Sequence, residues 1–189
     1  MAQDPIRTFL AIELSEAIRK EAHSYVEVIE QNCPDFRFIP PENWHLTLHF
    51  FGQIDSNQIQ KLETHLPPAF SSAQPFSIQL EKLGAFPSWN QARILWIGVG
   101  GDVPQLLSLI ERLNQVLQEM HFEIEPRDYS PHITIARLKT RNPVPAAVPK
   151  QTYQGHVIDR VQHITLFRSD LSSKGAYYSP IKTFPFGVS

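Results

Sequence analysis

WHLTLHFFG, residues 44–52, is the stretch on which the reading of the fold turns. Polar and apolar residues alternate along it, which is the pattern of a half-buried strand. On one face stand His45, Thr47 and His49; on the other stand Leu46, Leu48 and Phe50. A second stretch, SPHITIARL (130–138), repeats the pattern, with His132 and Thr134 on one face and Ile133 and Ile135 on the other. A third His-x-Thr-x occurs in HITL, 163–166. Random placement of the histidines and threonines predicts roughly a third of one His-x-Thr.

Working outward, the first two copies end matching units. RTFLAIEL (7–14) reads as a strand, and Ser15 caps a helix to about Cys33 with Ile18, Ala22, Val26 and Ile29 on its inner stripe. After FRFIP and a Pro-Pro turn comes the first motif. Later, ARILWIGVG (92–100) reads as a strand. Asp102 then caps a helix from Val103 to about Met120, with Leu106, Leu109, Ile110, Leu113, Val116 and Leu117 inside. The second motif follows. Arg7 precedes His45 by 38 positions and Arg93 precedes His132 by 39, so the motifs hold the same place in two strand–helix–strand units. The third copy follows no such unit, and His163 is read as an ordinary strand residue. SNQIQKLETHLPPAF (56–70) predicts a short helix ending near Leu66. FSIQLEKLGAF, HVIDRVQHITLFRSD and GAYYSPIKTFPF predict strands, and the three prolines of RNPVPAAVPKQ (141–151) predict a loop or mobile flap. The expectation is one α+β domain over residues 1–189. It is bilobal, with two pseudo-twofold lobes, each a small antiparallel sheet backed by helices, and a cleft between them.

Composition narrows the function. The formal net charge of −2 disfavours a broad electrostatic grip on long nucleic acid but allows a local basic cleft. A lone cysteine, Cys33, forms no internal disulfide and suits a reducing, cytoplasmic setting. No signal peptide or membrane span is expected, and no obligate protein partner is evident.

The chemistry follows from the shared faces. If the lobes are twofold-related, the His/Thr pairs converge on one cleft. Two imidazoles can then take and give protons near neutral pH, while the Thr hydroxyls bond to an anion between them. A tetrahedral phosphate fits such a site. No metal or cofactor is required, because HLTLH lacks the helical context and the Glu of a zinc motif. His49 shares the cleft face on strict alternation and is read as peripheral and solvated.

The residues resemble the 2H phosphoesterases, and within them the RNA 2′,3′-cyclic phosphodiesterase branch, historically called 2′-5′ RNA ligases. The resemblance covers essentially the whole chain: RTFLAIEL, PENWHLTLHFFG, LGAFPSWNQARILWIGV, SPHITIAR, LFRSDL and GAYYSPI. It implies catalytic His45 and His132, with Thr47 and Thr134 binding phosphate oxygens. It also implies an Arg five positions after the second His, here Arg137, on the phosphate. Strict alternation sets Arg137 on the wrong face, so that role requires the strand to end or bulge first. Phe9 matches an aromatic near the nucleotide base, and a plain packing role is its alternative. His49 departs from the Lys that relatives often carry. The implied reaction is hydrolysis of RNA 2′,3′-cyclic phosphate ends to 2′-phosphomonoesters, with reverse 2′-5′ joining as a secondary activity. RNA ends or small cyclic nucleotides are the expected partners. The sequence does not break the symmetry between the histidines; His132 is assigned as base and His45 as acid. The alternatives are a phosphodiesterase for another cyclic or 2′-5′-linked nucleotide, and a non-catalytic RNA-end-binding module.

Overall fold

The computed structural model describes residues 4–148, 155–172 and 175–187. Strand β1 (Ile6–Glu13) leads into helix α1 (Glu16–Glu30), where the Ser15 hydroxyl accepts the Ile18 N–H at 3.3 Å as the N-cap. Ile18, Ala22, Val26 and Ile29 form its buried stripe, as the spacing predicts. A two-residue strand β2 (Arg37–Phe38) and a short 3₁₀ turn precede β3 (His45–Ile54). Next come α2 (Ser56–His65), opened by a capping box between Asp55 and Gln58, and a separate α3 (Pro67–Ser71). The predicted helix thus ends at the expected place, near Leu66, and Pro67 and Pro68 open a second short one, because proline starts a helix readily and interrupts one that is under way.

The second half repeats the order with additions. Strands β4 (Phe76–Phe86) and β5 (Ala92–Gly101) precede α4 (Val103–Glu119) and β6 (His132–Asn142). Asp102 stands at the start of α4, but its carboxylate does not cap it; Oδ2 accepts the Ser77 N–H at 2.8 Å. Val116, expected inside, is half-buried at the core margin. The expected loop over 141–151 begins later, because β6 runs to Asn142; its last residues lie outside those described. The chain then forms β7 (Asp159–Val161), β8 (His163–Ser172) and β9 (Gly175–Pro185).

All the strand pairs are antiparallel, in one curled sheet of order β7-β4-β5-β6-β3-β1-β8-β9, with β2 added on β6. The two expected small sheets are thus the halves β7-β4-β5-β6 and β3-β1-β8-β9. They meet where Leu46 pairs with Ile133. Both residues are fully buried on the helix side. Each such burial contributes about 1.5–3 kcal/mol. A continuous core from Leu10 to Phe186 underlies both halves. Among the described residues, no helix is long and apolar enough to cross a membrane.

Candidate active site

The pair Leu46–Ile133 sets the site. Counting outward along two antiparallel strands, His45 comes opposite Thr134 and Thr47 opposite His132. Their neighbours Leu46, Leu48, Ile133 and Ile135 are buried under the helices, while all four His and Thr residues are half-buried. The quartet therefore occupies the open face, turned away from the helices, around a local twofold through the Leu46–Ile133 pair.

Each histidine is locked the same way. His45 Nδ1 lies 2.8 Å from the Asn43 carbonyl, and His132 Nδ1 lies 2.7 Å from the Ser130 carbonyl. A carbonyl only accepts, so Nδ1 carries the proton in both rings. The neutral tautomer then leaves the Nε2 lone pair for chemistry. Aromatic rings support the imidazoles. His45 lies 4.7 Å from Phe9 and 5.2 Å from Tyr178, centroid to centroid. His132 lies 5.1 Å from Phe86 and 5.9 Å from Trp96. Burial pushes the pKa of both histidines down, the backbone carbonyls pull it partly back, and the Arg137 guanidinium lowers both further. One guanidinium that acts on both rings lies close to both.

Arg137 reaches this face through a bulge. On β6, Thr134 pairs with Trp96 and Ala136 with Leu95, so Ile135 is an extra residue. The slip reverses the alternation, and Arg137, paired with Ile94, turns to the open face. The first motif slips at the same place: Thr47 pairs with Ala11 and His49 with Leu10, leaving Leu48 extra. This corrects the reading of His49. It faces the core side with Leu10, lies 4.6 Å from Phe51, and is held by burial at a pKa of about 4 rather than solvated.

Phe9 lies on the open face and is only 3% exposed, closed in by His45, Phe167 and Tyr178. As placed, it seats the His45 ring, and it borders a cavity of about 190 Å³ beside that ring. The third motif also faces this side, but its groups engage Glu13. Thr165 Oγ1 donates to Glu13 Oε2 at 2.8 Å, and His163 Nε2 lies 3.5 Å from the same oxygen. Four supporting residues escaped the sequence reading: Tyr129, Phe86, Trp96 and Tyr178. Tyr129 donates to the Thr47 carbonyl at 2.7 Å and fastens the first motif to the approach of the second. Phe86 and Trp96 pack on the His132 ring and Tyr178 on the His45 ring. Alternation in GAYYSPI narrows the inward ring to one of two tyrosines, but only the β8–β9 register selects Tyr178 over the exposed Tyr177. Among the described residues, no cluster of three or more His, Cys, Asp or Glu is placed to hold a metal ion.

Comparison with known proteins bears on the family and the fold. A family model described as LigT-like phosphoesterase matches residues 12–96 and 99–178. An RNA 2′,3′-cyclic phosphodiesterase of Methanothermobacter thermautotrophicus is 31% identical over 183 residues, covering 95% of this chain and 98% of that protein. TT0787 of Thermus thermophilus superposes with a TM-score of 0.80 at 26% identity, covering 96% of this chain and 98% of the other. E. coli LigT in its apo form gives a TM-score of 0.78 at 23% identity, covering 97% and 99%, and so shares the fold.

Proposed function

The chain belongs to the LigT-like phosphoesterase family, and from that footing we propose that it hydrolyses 2′,3′-cyclic phosphate ends of RNA to 2′-phosphomonoesters without a metal. The observation that carries this reading is the Leu46–Ile133 register, which sets two imidazoles and two hydroxyls on one open face about the seam. The His132 site is the more open of the two, and its Nε2 takes a proton from the attacking water. His45 gives a proton from Nε2 to the departing O3′. Thr47, Thr134 and Arg137 hold the phosphate oxygens as charge develops on them. With a 5′-hydroxyl in place of water as the nucleophile, the same site joins a cyclic end to that hydroxyl through a 2′-5′ linkage. A reducing cytoplasm suits the buried Cys33.

The test is a short oligoribonucleotide ending in a 2′,3′-cyclic phosphate, incubated with chelator present. The expected product is the 2′-monoester, and His45→Ala or His132→Ala lowers kcat by about 10²–10⁴. Undiminished turnover in either variant rules out the paired mechanism.

A further inference from the structure

The third His-x-Thr-x motif takes no part in the proposed reaction, yet it fixes a carboxylate beside it. Thr165 is fully buried. Its hydroxyl donates to Glu13 Oε2 at 2.8 Å and lies 3.4 Å from Thr183 Oγ1. His163 Nε2 stands 3.5 Å from the same carboxylate oxygen. Among the described residues, Glu13 Oε1 has no hydrogen-bond or ion-pair partner. An ionised carboxylate accepts about four hydrogen bonds, shared between its two oxygens. One oxygen is thus tied to β8, and the other is left for a donor from outside the chain. A half-exposed Glu ordinarily moves among rotamers and loses that freedom when it binds. Glu13 is held in place before any ligand arrives, so it takes a partner with a smaller loss of entropy.

On β1, Glu13 is the Cα partner of His45, so it stands one strand away, about 5 Å, from the acid of the proposed reaction. With Phe9, Arg19, Phe167 and Tyr178 it lines the cavity of about 190 Å³ beside the His45 ring. A site that encloses a whole small molecule measures about 300–1,000 Å³. This smaller one suits one part of a nucleotide. Its wall is largely aromatic, which is the surface that the bases of single-stranded RNA pack against. In the proposed reaction His45 protonates O3′, so the nucleoside of the cyclic end lies on the His45 side of the phosphate. Its base then comes to this cavity and to Glu13. A carboxylate only accepts hydrogen bonds. Guanine offers it two donors side by side, N1–H and the N2 amine. Uracil offers one ring N–H set between two carbonyl oxygens, which the carboxylate repels. We propose that Glu13, held by Thr165, reads the base of the cyclic-phosphate nucleotide and selects guanine over uracil. This rests on the paired-histidine reading above. Glu13 touches the base, and Thr165 acts through it as a positioning residue.

The experiment compares kcat/KM for guanosine and uridine 2′,3′-cyclic phosphates, and reads the affinities of 2′-GMP and 2′-UMP by calorimetry. The wild type is expected to prefer guanine by about 10- to 150-fold in both, the worth of a hydrogen bond to a charged group. Glu13→Gln is expected to bring both ratios close to one. Thr165→Val, which loses the hydroxyl and keeps the shape, is expected to narrow the ratios, and Thr165→Ser to restore them. A purely structural role lowers both nucleotides together and leaves the ratios where they were. A wild type without preference overturns the proposal, and so do unmoved ratios in Glu13→Gln, whether or not both rates fall. Unmoved ratios in Thr165→Val overturn the positioning role. A wild type that hydrolyses neither cyclic phosphate overturns the preceding reading instead, and the calorimetric ratio still decides the role of Glu13; binding of neither product overturns it.

Discussion

Arg137 bears on the histidine pair through its charge. Together with burial, the larger cause, it holds both histidines below the ordinary range, and in the proposed reaction it also binds phosphate. A lowered pKa frees the base at a lower pH and also strips the acid of its proton at a lower pH. The bell in kcat/KM is therefore expected on the acid side of 6.5, the unperturbed histidine value. Arg137→Gln removes one depressing charge from both rings, so the bell moves toward higher pH. The same change loses a charged hydrogen bond worth about 1.5–3 kcal/mol, or roughly 10- to 150-fold in kcat/KM. A pH–rate profile of the variant checks both effects; a drop in rate with an unmoved bell means that Arg137 touches phosphate without tuning the pair.

Strand β5 lays Trp96 across β4, and the absence of a side chain at Gly84 makes room for it. A Cβ at Gly84 would run into the indole ring of Trp96, and that ring lies beside His132, 5.9 Å away centroid to centroid. Gly84→Ala is expected to displace the indole and tilt the imidazole. Overpacking of this kind costs about 1–3 kcal/mol. Activity should fall further than that loss of stability explains, and Trp fluorescence with a melting curve beside kcat separates the two. Strict alternation, applied to both motif strands, gave the right faces as far as Thr47 and Thr134 and the wrong ones beyond. A bulge depends on the partner strand, so no residue within HITIAR announces it. The requirement that β6 bulge before Arg137 was legible in the sequence, because the resemblance set Arg137 on the phosphate while alternation turned it away. Nothing similar marked β3, and His49 and Phe50 exchanged faces.

At the scale of the whole molecule, the repeat was readable because each unit carries its own helix stripe and its own motif. The joining of the halves was not, since pairing between Leu46 and Ile133 is a contact between residues far apart in sequence. The main cluster of buried apolar residues takes in α1, α4 and both half-sheets, while Phe9, Ala11 and Phe167 form a small separate one on the open face. A single cooperative unfolding transition is therefore expected, with fluorescence and circular dichroism midpoints coinciding. Two separated transitions would mean that the halves fold independently. Between β3 and β6 the seam has one ladder pair, with the Tyr129 hydroxyl on the Thr47 carbonyl beside it and β2 laid along β6. The spacing of the imidazoles is consequently a matter of how the half-sheets tilt about that line. An anion gripped from both sides acts as a rivet through the hinge, so tightness of grip and stiffness of the protein rise and fall as one quantity.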